Sequence, residues 1–277
     1  MSRSGLSNKP GGAGGDRRRV QGHQARRRFG QNFLVDEHII EQIVRCIRPQ
    51  AGEHVIEIGP GLGALTSMLL GSLEHLTAIE LDRDLAARLR KQYPASQLTL
   101  VETDVLKADW PALLASTPAR IVGNLPYNIS SPLLVLLIEH RARIIDQHFM
   151  LQREVVDRIV AGPGPHCGRL GLLLQAFYHC ERVLDVPSEA FDPAPKVHSG
   201  IVRMRVREQA LVPDARVLSQ LLSIGFSQRR KMIRRNLLPW LTERGIAIDD
   251  LDGALRPEQI PAAQWYALAA ELSARAE

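Results

Sequence analysis

Apolar positions along the chain alternate between two periods. From Asp36 to about Arg48, Ile39, Ile40, Ile43, Val44 and Ile47 recur at the spacing of an amphipathic helix. The apolar run His54–Ile58 closes on Gly59-Pro-Gly-Leu-Gly63 and reads as a buried strand, a glycine loop and then a helix over Ala64–Leu70. A strand over Leu76–Ile79 ends in Glu80, and a helix with a charged face follows over Arg83–Gln92. The next strands are Leu98–Val101, ending near Asp104, and Arg120–Gly123, running into Asn124-Leu-Pro-Tyr127. Pro132 to Ile138 is an apolar helix, His148–Gln152 a strand and Glu154–Val160 a helix. Val197–Val206 alternates as a late strand, expected to be antiparallel. From Pro213 the pattern is helical over Val217–Phe226, Lys231–Leu241, Asp249–Leu251 and Pro261–Leu272.

Strands alternating with helices predict an α/β fold with a doubly wound, Rossmann-like parallel sheet and right-handed crossovers. In such sheets ligands bind beyond the carboxyl ends of the strands, near the point where strand order reverses. Gly59, Glu80, Asp104 and Asn124 all fall at predicted strand ends, which places them around one pocket. The domain layout expected is a basic disordered tail over 1–25, a main domain over 26–207 and a small all-helical domain over 208–277.

With 45% hydrophobic and 23% charged residues, the chain is neither disordered nor collagen-like. No apolar run approaches the roughly 20 residues needed to span a bilayer. The basic, glycine-rich N-terminus lacks the apolar segment of a secretory signal. Cys46, Cys167 and Cys180 are widely spaced, fit a reducing cytoplasm, and suggest neither a disulfide framework nor a zinc site. The histidines show no ligand spacing, so no metal is expected.

Charge is concentrated. Residues 1–28 carry a net +7 of the chain's +5, leaving −2 for the remainder. A second cluster comprises Arg229, Arg230, Lys231, Arg234 and Arg235. Charge runs are often solvated faces, but two concentrated clusters on a near-neutral body point to a polyanion such as nucleic acid.

The glycine loop lets backbone approach a ligand closely, and Glu80 stands where it can accept from ribose hydroxyls. Alone this does not separate NAD from other adenosine cofactors. The spacing is GxGxG, not GxGxxG, and a third strand-end acid, Asp104, can accept from an adenine amine. S-adenosylmethionine fits: ribose on Glu80, adenine on Asp104, methionine over the Gly59 loop. Asp82 and Asp84 read as solvated helix-start residues.

In Asn124-Leu125-Pro126-Tyr127 the proline biases its neighbour to an extended form and aims carbonyls in fixed directions. An exocyclic adenine amine is a poor nucleophile because its lone pair is delocalised into the ring. Acceptors for both N–H groups favour a pyramidal nitrogen, and Asn124 Oδ1 with a carbonyl of Leu125 or Pro126 can supply them. Tyr127 can stack on a purine that has left its helix. Neither a cysteine nucleophile nor a strong base is required.

In combination these segments resemble the small-subunit (16S-type) ribosomal RNA adenine N6,N6-dimethyltransferases, the kasugamycin-sensitivity family. The resemblance runs from about Arg28 to near the C-terminus. Arg28-Phe-Gly-Gln-Asn-Phe-Leu34 is similar to the family's N-terminal signature, which implies that Asn32 and Leu34 touch the cofactor. Val55-Ile-Glu-Ile-Gly-Pro-Gly-Leu-Gly63 resembles its cofactor loop, with Gly59 and Gly61. By the same resemblance Ile79-Glu-Leu-Asp82 holds the ribose, Asp104 the adenine, and Asn124 to Tyr127 form the catalytic motif, with Asn124 also touching the cofactor. Phe191-Asp-Pro-Ala-Pro-Lys-Val197 resembles a later motif in which Phe191 sandwiches the target base opposite Tyr127. Phe226-Ser-Gln-Arg-Arg-Lys231 through Leu237 resembles a basic C-terminal helix that binds RNA. Cys167 stands where an aromatic is frequent and His198 where an acid is usual, departures that bear on loop detail rather than the reaction. The 1–25 tail is longer than the family leads one to expect.

The resemblance implies an S-adenosyl-L-methionine-dependent methyltransferase with a C-terminal helical domain. It would dimethylate N6 of two adjacent adenosines in the 3′-terminal hairpin of 16S rRNA during small-subunit biogenesis. The expected partners are 16S rRNA and the immature small subunit, met by a cytoplasmic monomer with no membrane association. One alternative is a resistance-type enzyme methylating a single adenine of large-subunit rRNA, which the extended C-terminal domain disfavours. Another is a non-catalytic RNA-binding or transcription factor on the same fold, against which the intact Asn124 and Tyr127 argue. A nicotinamide oxidoreductase is disfavoured by Asp104 and the Asn-Leu-Pro-Tyr segment.

Overall fold

The computed structural model describes residues 32–247 and 250–275, with the backbone of 19–20 and 23–24. Most of the expected tail, residues 28–31 of the N-terminal signature, and Asp249 of the short helix expected at 249–251 lie outside the described residues. Within the expected tail, Arg19–Val20 and His23–Gln24 pair antiparallel.

A seven-stranded sheet organises the fold: β1 (His54–Ile58), β2 (Leu76–Glu80), β3 (Leu98–Glu102), β4 (Ala119–Asn124), β5 (Ile144–Gln152), β6 (Tyr178–Val186) and β7 (Ser199–Val206). Their spatial order is β3-β2-β1-β4-β5-β7-β6. The first five run parallel, and β7 runs antiparallel to both of its neighbours. The order reverses between β1 and β4, so their carboxyl ends flank the crevice where such sheets bind ligands.

Helices α1 (Glu37–Ile47), α2 (Ala64–Leu70) and α3 (Arg83–Gln92) precede α4 (Ser130–Glu139), α5 (Arg153–Val160) and α6 (Arg169–Gln175). The two-residue period of the strands sorts the core into two layers. Val55, Val122, Met150 and Ile201 pack with α1 and α2, whereas Ile56, Ile121, Phe149 and Val202 pack with α4 to α6. Asp36 caps α1, its carboxylate accepting the Ile39 N–H at 3.1 Å. Arg48 ends the helix in the left-handed conformation.

Among the labelled elements, α6 and β6 are not apparent in the sequence pattern. The glycines around Leu170 look like breakers, yet α6 forms there. A Cβ at Gly171 would stand 2.2 Å from the Arg158 carbonyl, so the glycine is what lets α6 lie against α5. Edge strand β6 carries His179, Glu181, Arg182 and Asp185 among its apolar residues, which blurs the alternation.

The C-terminal segment comprises α7 (Ala215–Phe226), α8 (Leu237–Thr242) and α9 (Ala262–Ala274). The expected boundary near residue 208 falls in the irregular stretch 207–214, but one hydrophobic core runs across it. Leu218 and Trp265 belong to the same cluster as Phe149, and the Tyr266 hydroxyl donates to the Leu172 carbonyl at 2.9 Å. The helix expected over Lys231–Leu241 is not continuous. Residues 227–230 form a turn, Ile233–Arg235 a 3-10 turn, and α8 begins only at Leu237. Asn236 breaks the helix by donating its amide back to the Ile224 and Gly225 carbonyls at the end of α7. The basic residues therefore do not share one α-helical face.

Beneath α1 lies a buried ionic cluster that the sequence pattern does not announce. Arg120 on β4 donates twice to Asp146 on β5, Nε to Oδ1 and Nη2 to Oδ2, both at 2.9 Å. Its Nη1 donates to Glu53 at 3.0 Å and to the Arg48 carbonyl at 3.1 Å. Asp146→Ala leaves the Arg120 guanidinium buried without its bidentate partner and should cost about 3–5 kcal/mol. Urea denaturation measures it; a loss under about 1 kcal/mol would mean that water reaches this cluster.

Candidate active site

The loop after β1 is built on conformations that glycine alone adopts without strain. Gly59, Gly61 and Gly63 have φ of 64°, 60° and 87°. β2 braces the loop: Gly59 N–H donates to the Ile79 carbonyl at 2.9 Å. The Glu80 carboxylate accepts the Gly61 N–H at 3.1 Å with one oxygen and the Asp82 N–H at 2.8 Å with the other. Burial raises the pKa of Glu80, while those backbone donors act to lower it. With the Leu81 N–H these make three backbone donors, fewer than the roughly four acceptor positions a carboxylate offers.

Asp82 departs from the solvated role expected of it. It caps α3 by accepting the Asp84 N–H at 3.0 Å and is itself buried; Asp84 is exposed. Asp104 follows β3, and its Oδ1 accepts the Leu106 N–H at 3.0 Å, which leaves Oδ2 outside that cap.

Asn124 ends β4. Its Nδ2 donates to the Asn32 carbonyl at 3.2 Å, which assigns the other amide atom, Oδ1, as the acceptor. The Leu125 N–H continues the ladder to the Met150 carbonyl at 3.2 Å. The Pro126 carbonyl accepts the Ile129 N–H at 3.2 Å, and among the described residues no hydrogen bond engages the Leu125 carbonyl. Tyr127 is 37% exposed, and desolvation raises its phenol pKa, so the hydroxyl is neutral. Phe191 is buried and pairs with Leu34 in a two-residue ribbon, Phe33–Leu34 against Phe191–Asp192. The Val35 and Asp36 N–H groups extend that clip to the Ala190 carbonyl at 2.9 and 3.3 Å.

Asn32, Leu34, Gly59, Gly61, Glu80, Asp104, Asn124, Leu125, Pro126, Tyr127 and Phe191 line one cleft of about 380 Å³. Among the other lining residues, Phe33, Leu81 and Glu57 are not singled out by the sequence pattern. Phe33 lies so close that a Cβ on Gly61 would stand 3.4 Å from its ring. Leu81 is 51% exposed beside Glu80 and offers an apolar lip. Glu57 is the one acid within the apolar run of β1, a signal in plain view. It is fully buried, accepts the Thr66 hydroxyl at 2.6 Å, and is pushed up to about 7 by burial.

The basic cluster lies outside this cleft. Arg230, Lys231, Arg234 and Arg235 are exposed, and no carboxylate among the described residues pairs with them. Arg229 differs: its Nε donates to Glu258 at 2.6 Å and its Nη2 to the Pro165 carbonyl.

A family model described as "Ribosomal RNA adenine dimethylase" matches residues 22–273. The "Ribosomal RNA small subunit methyltransferase A" of Leptothrix cholodnii is 51% identical, over 89% of this chain and 91% of that one. Its counterpart in Thiobacillus denitrificans is 49% identical, over 91% of this chain and 100% of that one. The crystal structure of a dimethyladenosine transferase from Plasmodium falciparum superposes with a TM-score of 0.74 at 26% identity, covering 88% of this chain and 98% of that one. That of a 23S rRNA methyltransferase, ErmE, gives 0.66 at 25% identity, covering 87% and 100%.

Glu57 sets a pH dependence with a definite sign. Its folded pKa, about 7, lies above the ordinary 4.5. Its contribution to stability is complete below 4.5 and is lost as pH rises through 7. Glu57→Gln keeps an acceptor for Thr66 and removes the charge. The variant should gain on the order of 3 kcal/mol over the wild type between pH 4 and pH 8. Denaturant titrations at the two pH values test this; parallel changes in both proteins would show that Glu57 titrates normally.

Proposed function

The chain belongs to the ribosomal RNA adenine dimethylase family, and on that premise we propose that its cleft dimethylates N6 of two adjacent adenosines in the 3′-terminal hairpin of 16S rRNA. It is a small-subunit ribosomal RNA adenine dimethyltransferase. The observation that carries the mechanistic reading is the Asn124 amide, held by the Asn32 carbonyl so that Oδ1 is the acceptor in a cleft lined by Tyr127 and Phe191.

The cleft suits S-adenosylmethionine. Its volume of about 380 Å³, its left-handed glycine loop and its two strand-end carboxylates match a ligand with a ribose, an adenine and an amino-acid end. Glu80 would hold the ribose, Asp104 the adenine amine, and Gly59 and Gly61 the methionine portion, with Asn32 and Leu34 closing the wall. When bound, this cofactor supplies an electrophilic methyl sulfonium.

The remaining chemistry belongs to the chain. Asn124 Oδ1 and the Leu125 carbonyl accept the two N6 hydrogens and favour a pyramidal nitrogen. The Pro126 carbonyl is the weaker candidate, because Ile129 already donates to it. Tyr127, half-exposed at the cleft, and Phe191, buried in its wall, stack on the flipped adenine. No general base is needed, since the cationic product loses its proton readily. The same acceptors serve the second methylation with one hydrogen fewer to hold.

Arg230, Lys231, Arg234 and Arg235 are the residues offered to RNA phosphate. The reading is of a cytoplasmic monomer working on the immature small subunit. Incubation with labelled methyl donor and unmethylated small and large subunits, followed by mapping, tests it. Two adjacent dimethyladenosines in small-subunit RNA are expected; a single modified adenine in large-subunit RNA would favour the alternative of a large-subunit rRNA methyltransferase.

Asn124→Ala should lower methyl transfer by roughly 10²-fold or more, because the side chain acts on the amine in the transition state. Cofactor affinity should stay within about threefold, as an effect on the transition state alone requires. Turnover kinetics with calorimetric titration of the cofactor would show it, and a rate close to wild type would remove Asn124 from the mechanism.

A further inference from the structure

Arg229 opens the basic sequence Arg229-Arg-Lys231 but is used differently from the residues that follow it. It belongs to the turn that follows α7, at residues 227–230. Its guanidinium joins two other parts of the chain. Nε donates to Glu258 Oε2 at 2.6 Å, and Nη2 donates to the Pro165 carbonyl in the loop between α5 and α6. Those two parts are themselves joined, because the Gly164 N–H donates to the Glu258 carbonyl at 2.8 Å. The loop is folded on itself, the Cys167 N–H donating to the Gly164 carbonyl at 2.9 Å, with the Cys167 side chain buried.

We propose that Arg229 is a positioning residue and not a phosphate contact: it locks the turn that leads into the exposed cations to the 162–168 loop of the main sheet domain. Productive methyl transfer requires two things at once, phosphate held by the cluster and an adenine delivered to the cleft. The relative placement of those two regions therefore enters the rate, where a misplacement of about 1 Å can cost roughly 10²-fold. A planar guanidinium suits the task, since it donates along two directions to two acceptors in a fixed fork. A lysine carries the charge but not the fork. The proposal rests on the reading of Arg230, Lys231, Arg234 and Arg235 as the phosphate-binding residues.

The test separates the two. Small-subunit binding is measured across a salt series, and methyl transfer at saturating subunit, for Arg229→Ala, Arg229→Lys, Glu258→Gln and Arg230→Ala. Each lost phosphate contact lowers the slope of log K against log salt by roughly 0.7–0.9. Arg230→Ala should lower the slope. Arg229→Ala should keep it and instead lower kcat by roughly tenfold, Glu258→Gln, which keeps a neutral acceptor, should lower kcat by less at an unchanged slope, and Arg229→Lys should not restore the rate. Glu258→Gln matters because it preserves size and backbone, so a folding defect in the Arg229 variants does not decide the outcome. A slope reduced by Arg229→Ala as much as by Arg230→Ala, with kcat intact, would overturn the proposal. If Arg230→Ala leaves the slope unaltered, the phosphate reading of the cluster fails, while the kcat values of Arg229→Ala and Glu258→Gln still decide the lock.

Discussion

The site depends on how closely the carboxyl ends of β1 and β4 approach each other. Gly123 permits it: a Cβ there would stand 2.4 Å from the Ile58 carbonyl oxygen. Gly59, next in line, turns the chain away in the left-handed conformation with φ of 64°, in ordinary contact with the Asn124 carbonyl. Strand order reverses at this pair of strands, so their flanking helices leave toward opposite faces and open a crevice. Two glycines thus bring the loop that suits a nucleoside cofactor next to the amide that can receive an amine.

Around that contact, most of the polar groups of the cleft already hold something. Glu80 braces Gly61 and Asp82, Asp104 caps a turn, and Asn124 donates to Asn32. Such groups are preorganised: their orientation is fixed by bonds within the protein, and what remains for a ligand is a spare lone pair. The ribbon of Phe33–Leu34 on Phe191–Asp192 ties the wall near the glycine loop to the wall that carries the aromatic ring. The segment supplying the Asn32 carbonyl is thereby attached to both sides of the cleft.

Much of this was legible before any coordinates. Gly59, Glu80, Asp104 and Asn124 each follow an apolar run, and in a parallel sheet the ends of such runs share one edge. That geometry, not any single motif, converts scattered polar residues into a cleft. What stayed hidden depended on tertiary contact. Gly171 looks like a helix breaker until the backbone of α5 is seen against it. β6 is an edge strand, and its charged residues mask its period. The basic run 229–235 has the composition of a helix, but the Asn236 amide caps α7 and ends that continuity. Asp82 looked like a solvated cap and is buried, because the helix it starts packs on the sheet edge that holds Glu80.

The central claim is that the Asn124 amide works through its orientation, with Nδ2 given to the Asn32 carbonyl and Oδ1 left to accept the adenine amine. Asn124→Asp tests this most directly, because it keeps the shape and replaces the amide donor with a charged acceptor oxygen. A carboxylate facing the Asn32 carbonyl would be repelled and turned out of position. Single-turnover methyl transfer to unmethylated small subunits should then fall by roughly tenfold or more, with cofactor affinity unchanged. A single-turnover rate equal to that of the wild type would contradict the account.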